Sequence, residues 1–103
     1  MHRLFVFYRL KDGVDIDDYL TWSHEVDQPA VRSYGPCHSV KVHPVVREYE
    51  HGPDRYDVAE EATVDDYGEW LQILDSAEHK PVADAFAELV DTGSVRFIVA
   101  DLA

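Results

Sequence analysis

The tightest constraint on the fold is a run of five apolar or aromatic residues, Leu4-Phe5-Val6-Phe7-Tyr8, closed at either end by Arg3 and Arg9. It is far too short to span a bilayer or to serve as a signal-peptide core. As a strand it points apolar side chains alternately to both faces, so both faces must be covered. The rest of the chain has to supply that cover.

After the turn at Lys11-Asp12-Gly13, Asp15 is placed to cap a helix through about Val26, its carboxylate accepting from free first-turn N–H groups. Ile16, Leu20 and His24 recur at a spacing of four on one face, with Tyr19 beside them. Gln28-Pro29 ends or kinks this helix, and Tyr34-Gly35-Pro36 breaks the chain again. The Val-rich alternation from Cys37 to Tyr49 predicts a second strand interrupted or edged by Pro44. His51-Gly52-Pro53-Asp54 turns it into a third strand, Arg55 to Val64, making a hairpin. Asp65-Asp66 caps a helix carrying Tyr67, Trp70, Leu71 and Leu74, and Pro81 interrupts the chain before Val82, Phe86, Leu89 and Val90 resume the helical period. Thr92-Gly93 closes that segment, and Val95 to Ala100 is the fourth strand.

The order β-α-β-β-α-β is that of an α+β, ferredoxin-like domain with a four-stranded antiparallel sheet, here one domain over residues 1–103. Its helices cover one sheet face and leave the other apolar and open. A face that size is economically covered by a second copy, so the expected assembly is a homodimer pairing as an α+β barrel.

Charge narrows the partners. With 9 Lys plus Arg against 21 Asp plus Glu, the formal charge is −12. No basic cluster offers a footprint for phosphates, which excludes nucleic acid and anionic membrane and suits a cytoplasmic protein. A single cysteine, Cys37, allows neither an internal disulfide nor a thiolate zinc cluster. Six histidines raise the question of a metal, but none falls in a His-x-His or His-Glu-x-x-His spacing, so no metal and no other cofactor is assigned.

The candidate chemistry rests on a few side chains. His24 extends the Ile16/Leu20 stripe inward, either as a general acid or base or as a core histidine bonded to a backbone carbonyl. His79, at the break before Pro81, reaches over the mouth of a sheet cavity or else sits in a solvated loop. Glu60 shares a strand face with Tyr56, Val58 and Ala62, where burial would raise its pKa unless that face is wet. Tyr8 shares a face with Leu4 and Val6 and needs a hydrogen-bond partner there. Lys41 and His43 line the cavity or face water. Trp22 and Trp70 are core residues or part of an aromatic binding wall.

The opening His2-Arg3-Leu4-Phe5-Val6-Phe7-Tyr8-Arg9-Leu10-Lys11-Asp12-Gly13, followed by Tyr19-Leu20-x-Trp22-x-His24 and Pro29-Ala30-Val31, resembles the dimeric α+β barrel superfamily. Within it, the chain is similar to the RedY-like (HapK-like) proteins of bacterial prodiginine and bisindole pathways. That resemblance implies a cavity-facing histidine at a helix break, matched by His79. The Trp22-x-His24 segment with Pro29 is similar to the pattern of EthD-like members and implies an inward His24. Where cyclases of this branch carry a histidine early in the first strand, this chain has Leu4, so their acid–base pairing does not transfer. The implied activity is a cofactor-independent cyclisation or rearrangement of a reactive bisindole- or pyrrole-type aromatic intermediate. His24, His79 and Glu60 would be catalytic, and Tyr8, Trp22, Lys41, His43 and Trp70 would bind substrate. The alternatives are a protein that shields a labile intermediate without acting on it and a cofactor-free monooxygenase.

Overall fold

In the computed structural model, which describes residues 1–49 and 55–102, the apolar run lies within β1 (His2–Leu10), an inner strand of a four-stranded antiparallel sheet. The other strands are β2 (Cys37–Pro44), β3 (Val58–Val64) and β4 (Val90–Asp101), in spatial order β2-β3-β1-β4. Directly opposed residues point to the same side of a sheet. The pairs Leu4 with Ala62, Val6 with Glu60 and Tyr8 with Val58 therefore form one face, and Phe5 with Glu61 and Phe7 with Ala59 the other. The expected turn at His51-Gly52-Pro53-Asp54 lies outside the described residues.

Helices pack on the first of these faces. They are α1 (Ile16–Trp22), α2 (Gln28–Ser33), α3 (Tyr67–Leu74) and α4 (Lys80–Leu89). Asp15 and Asp66 cap α1 and α3, accepting from the backbone N–H groups of Asp17 and Glu69 at 2.8 and 3.1 Å. Gly13, with φ near 84°, supplies the left-handed turn ahead of Asp15. Two core clusters result. Leu4, Val31, Val40, Val64 and Trp70 pack under α2 and α3, while Tyr8, Tyr19, Val58 and Val90 pack under α1 and α4. No helix among the described residues is long and apolar enough to cross a membrane.

Three boundaries differ from the sequence reading. The first helix does not stop at Gln28-Pro29; it passes through a π-helical turn, Ser23–Asp27, in which the Gln28 N–H bonds the Ser23 carbonyl, and continues as α2. Proline cannot donate to the helical ladder, and its ring crowds the carbonyl four residues back. A wider turn before Pro29 lets the helix carry on. Second, β2 ends at Pro44 instead of Tyr49 and β3 starts at Val58 instead of Arg55, although Val45 and Asp57 still share a backbone hydrogen bond of 2.9 Å. Third, Thr92-Gly93 does not close a helix. It lies inside β4, which starts at Val90 directly after α4. There the β1–β4 pairing shifts between Phe7 and Arg9. Ser94 Oγ fills the gap, accepting from the Arg9 N–H at 2.8 Å and donating to the Asp91 carbonyl at 2.6 Å.

Candidate functional site

Between the sheet and its helices lies a cavity of about 280 Å³, walled by Leu4, Val6, Val31, Trp70 and Phe86 among others. Val95 and Phe97 of β4 belong to the same wall and are more than one-third exposed, which marks where the cavity opens. Among the described residues, three titratable side chains reach this apolar space: Asp27, Glu60 and His79.

Glu60 is delivered by the two-residue period of β3, opposite Val6 on one side and Val42 on the other. Tyr8 Oη donates to Glu60 Oε1 at 2.5 Å, and Tyr19 Oη in turn bonds Tyr8 Oη. With Glu60 ionised, each phenol has one proton to give, so the chain runs Tyr19 to Tyr8 to Glu60. Burial pushes the Glu60 carboxyl up to about 7; the Tyr8 hydrogen bond opposes that rise and the charge of Asp27 adds to it. Both phenols are raised as well, first by burial and then by the charge of Glu60.

Asp27 is pushed up to about 6 by burial. It comes from the last residue of the π-helical turn, and that turn explains its position. In a regular helix the stripe through Ile16 and Leu20 would bring His24 inward. The wider turn instead lines up Tyr19, Ser23, Asp27 and Val31, spaced by four, of which Tyr19, Ser23 and Val31 are buried. His24 is exposed, its Nδ1 3.3 Å from Gln28 Nε2, because the fully buried positions of this helix are Tyr19 and Ser23, one residue before Leu20 and His24. The expectation of an inward catalytic His24 is corrected by this placement of the buried stripe.

His79 immediately precedes α4, only 7% exposed, with Nδ1 2.7 Å from Tyr34 Oη at the end of α2. Burial lowers its pKa, so the ring is held neutral. A neutral ring that accepts from Tyr34 at Nδ1 carries its proton on Nε2. The site is therefore poised for proton exchange. It offers two carboxyls that titrate close to neutrality and an uncharged imidazole, all within an apolar wall.

Of the residues singled out from the sequence, Glu60, His79 and Trp70 meet at the cavity. Tyr8 stands behind Glu60 as its donor. Trp22 does not reach the cavity; it is half-buried against the Tyr19 ring, with centroids 5.8 Å apart. Lys41 and His43 are exposed on the opposite sheet face, because β2 turns Val40 and Val42 toward the helices; His43 Nε2 lies 3.5 Å from Glu61. Asp27 and Tyr34 were missed. The four-residue spacing of Tyr19, Ser23, Asp27 and Val31 ahead of Pro29 is the signal for Asp27, legible only once a wide turn is assumed. Tyr34 carries none, since its partner lies 45 residues away. Among the described residues, no three His, Cys, Asp or Glu side chains group to hold a metal ion.

The fold has known counterparts. The solved HapK structure from Hahella chejuensis superposes with a TM-score of 0.82 at 16% identity, covering 100% of this chain and 93% of that one. An EthD family protein from Bacillus halodurans C-125 gives 0.69 at 17% identity, with 100% and 99% covered. A dimeric ferredoxin-like protein of unknown function from Bacteroides fragilis NCTC 9343 gives 0.65 at 13%, with 98% and 95% covered. No curated protein matches the chain significantly. The model of the family described as REDY-like protein HapK matches residues 2–102, essentially the whole length, and the chain belongs to that family.

Proposed function

We propose that the chain is a cofactor-independent tailoring enzyme of the bacterial cytoplasm that holds a reactive aromatic intermediate in the cavity and steers its cyclisation or rearrangement by proton transfer. The observation that carries this reading is the convergence of Asp27, Glu60 and His79 on one apolar space, with the two carboxyls at about 6 and about 7. Glu60 is the acid/base, oriented by Tyr8 and Tyr19. His79, oriented by Tyr34, hands a proton to or from the intermediate through Nε2. Trp70 and Phe86 supply ring contacts. His24, Trp22, Lys41 and His43 take no part within one subunit. Orientation and one general acid–base step each supply large rate factors without a cofactor. The bisindole or pyrrole character of the substrate rests on the family likeness, and the apolar wall suits it.

Glu60→Gln and His79→Gln, assayed on bisindole and bipyrrole intermediates, test the reading. A changed product distribution in both supports it; a distribution identical to that of the wild type overturns it. The apolar lining also favours a second reading, a protein that shields such an intermediate. Tight binding with no change in the intermediate's fate would establish that one, while oxygen consumption coupled to substrate would point to a monooxygenase.

The open sheet face is the surface we assign to a homodimer. It carries Phe5, Phe7 and the 40%-exposed Ile98, and the Bacteroides fragilis relative of the same fold is dimeric. Ile98→Glu should convert a dimer to a folded monomer in sedimentation equilibrium; a wild-type monomer would refute the pairing.

A further inference from the structure

The charges around the cavity are one-sided. Among the described residues, its wall includes Asp27 and Glu60 but no lysine or arginine. Glu60 is engaged by Tyr8, whereas no described side chain hydrogen-bonds or pairs with Asp27. A carboxylate in an apolar wall without a protein donor is costly to ionise, and a ligand that brings its own positive charge or N–H donor removes the cost. A ligand that brings a carboxylate meets like charge and finds no cation to balance it. The helix puts Asp27 there at the expense of its regular winding, through the π-helical turn before Pro29.

We propose that the cavity selects aromatic ligands bearing a protonated or N–H-donating nitrogen, bound by Asp27 with Glu60 as second acceptor, and rejects aromatic carboxylates. The assignment rests on reading the cavity as the ligand site, and it adds the ionisation state of what enters. A cyclic iminium, a protonated amine and an indole or pyrrole N–H all present this chemistry. The groups that titrate around Asp27 are Glu60 from β3 and His79 at the start of α4, with the phenols of Tyr8, Tyr19 and Tyr34 behind them.

Calorimetry with tryptamine, indole and indole-3-acetate tests it, since the three share a ring and differ in charge. At about pH 8 both carboxyls are largely ionised, and tryptamine should bind roughly tenfold or more tighter than indole-3-acetate. At about pH 5 both are largely protonated, and that preference should shrink to within about threefold, a readout that needs no variant. Asp27→Asn, checked for its fold by circular dichroism, should cut the tryptamine preference by about tenfold at the higher pH and weaken indole less than tryptamine, because Asn Oδ1 still accepts a neutral N–H but no longer pairs with a cation. Indole-3-acetate binding as tightly as tryptamine, a preference unmoved by pH and by Asp27→Asn, or no binding of any of the three would overturn the proposal. The two readings fail separately. If Glu60→Gln and His79→Gln leave the product distribution unchanged while the cation preference holds, catalysis falls and the ligand class stands. If those variants alter products but the anion binds equally well, the ligand class falls and catalysis stands.

Discussion

Glu60 and Glu61 are consecutive residues of β3 with the same side chain and opposite surroundings. Glu60 faces the helices, enters the cavity and accepts from Tyr8. Glu61 faces the other way, one-third exposed, with Arg3 Nη1 at 3.9 Å and His43 Nε2 at 3.5 Å. Beside Glu61 stand the Arg3 guanidinium and the His43 imidazole, whereas burial raises the Glu60 carboxyl to about 7 against the opposing hydrogen bond from Tyr8. The strand's period of two thus makes one glutamate a surface charge and its neighbour a group able to exchange protons at physiological pH. Net charge counts them equally, although only one of them lines the cavity.

The pair can be broken most severely at turnover. Glu60→Gln should lower the rate on a bisindole or bipyrrole substrate by about 100-fold or more, the scale of a lost general acid or base, while Glu61→Gln stays within about twofold. Equal losses would remove Glu60 from the mechanism.

The next effect is on stability, and its sign runs opposite to activity. A carboxyl raised from 4.5 to about 7 by folding is favoured in its protonated form, so its contribution is fully present below about 4.5 and is lost as pH rises through about 7. At pH near 8, Glu60→Gln should therefore be more stable than the wild type by on the order of 2 kcal/mol in urea unfolding, with the gap closing toward pH 4.5. Glu61→Gln should show no such gain.

A smaller change sharpens the role of the phenol chain. Tyr8→Phe removes the hydrogen bond that holds the Glu60 carboxyl down, so the acid limb of the pH–rate profile should move upward by about one unit. An unmoved limb would separate Tyr8 from Glu60. Least of all, His43→Ala should cost no more than about 0.5 kcal/mol by the same urea measurement, because its pairing with Glu61 is solvent-exposed.

Much of this was readable in advance where local period and local chemistry decide. The alternation through Val58, Glu60 and Ala62 puts Glu60 among apolar neighbours on one face without saying whether that face is covered, and Trp70 follows the helical period of α3 into the core. For His79 the break at Pro81 allows either the sheet's mouth or a solvated loop, and the packing selects the first. Reading failed where one helical turn changed the count. Gln28-Pro29 reads as an end or a kink; the helix instead widens and continues, bringing Asp27 to the cavity, while His24 lies beside the buried stripe of Tyr19 and Ser23. For Lys41 and His43 the alternation leaves cavity and water both open, because it does not say which side of β2 the helices cover.

By itself, the sequence determined the order of elements, the capping of α1 and α3 by Asp15 and Asp66, and the sharing of one strand face by Val58, Glu60 and Ala62, because each depends on neighbours within a few residues. Only the tertiary structure decided which acidic groups share the cavity. Asp27 and Glu60 lie 33 residues apart, and Tyr34 and His79 lie 45 apart. The cavity around Asp27, Glu60 and His79 is walled by side chains from four strands and from α2, α3 and α4, and burial there is a property of the packed whole that no local pattern encodes.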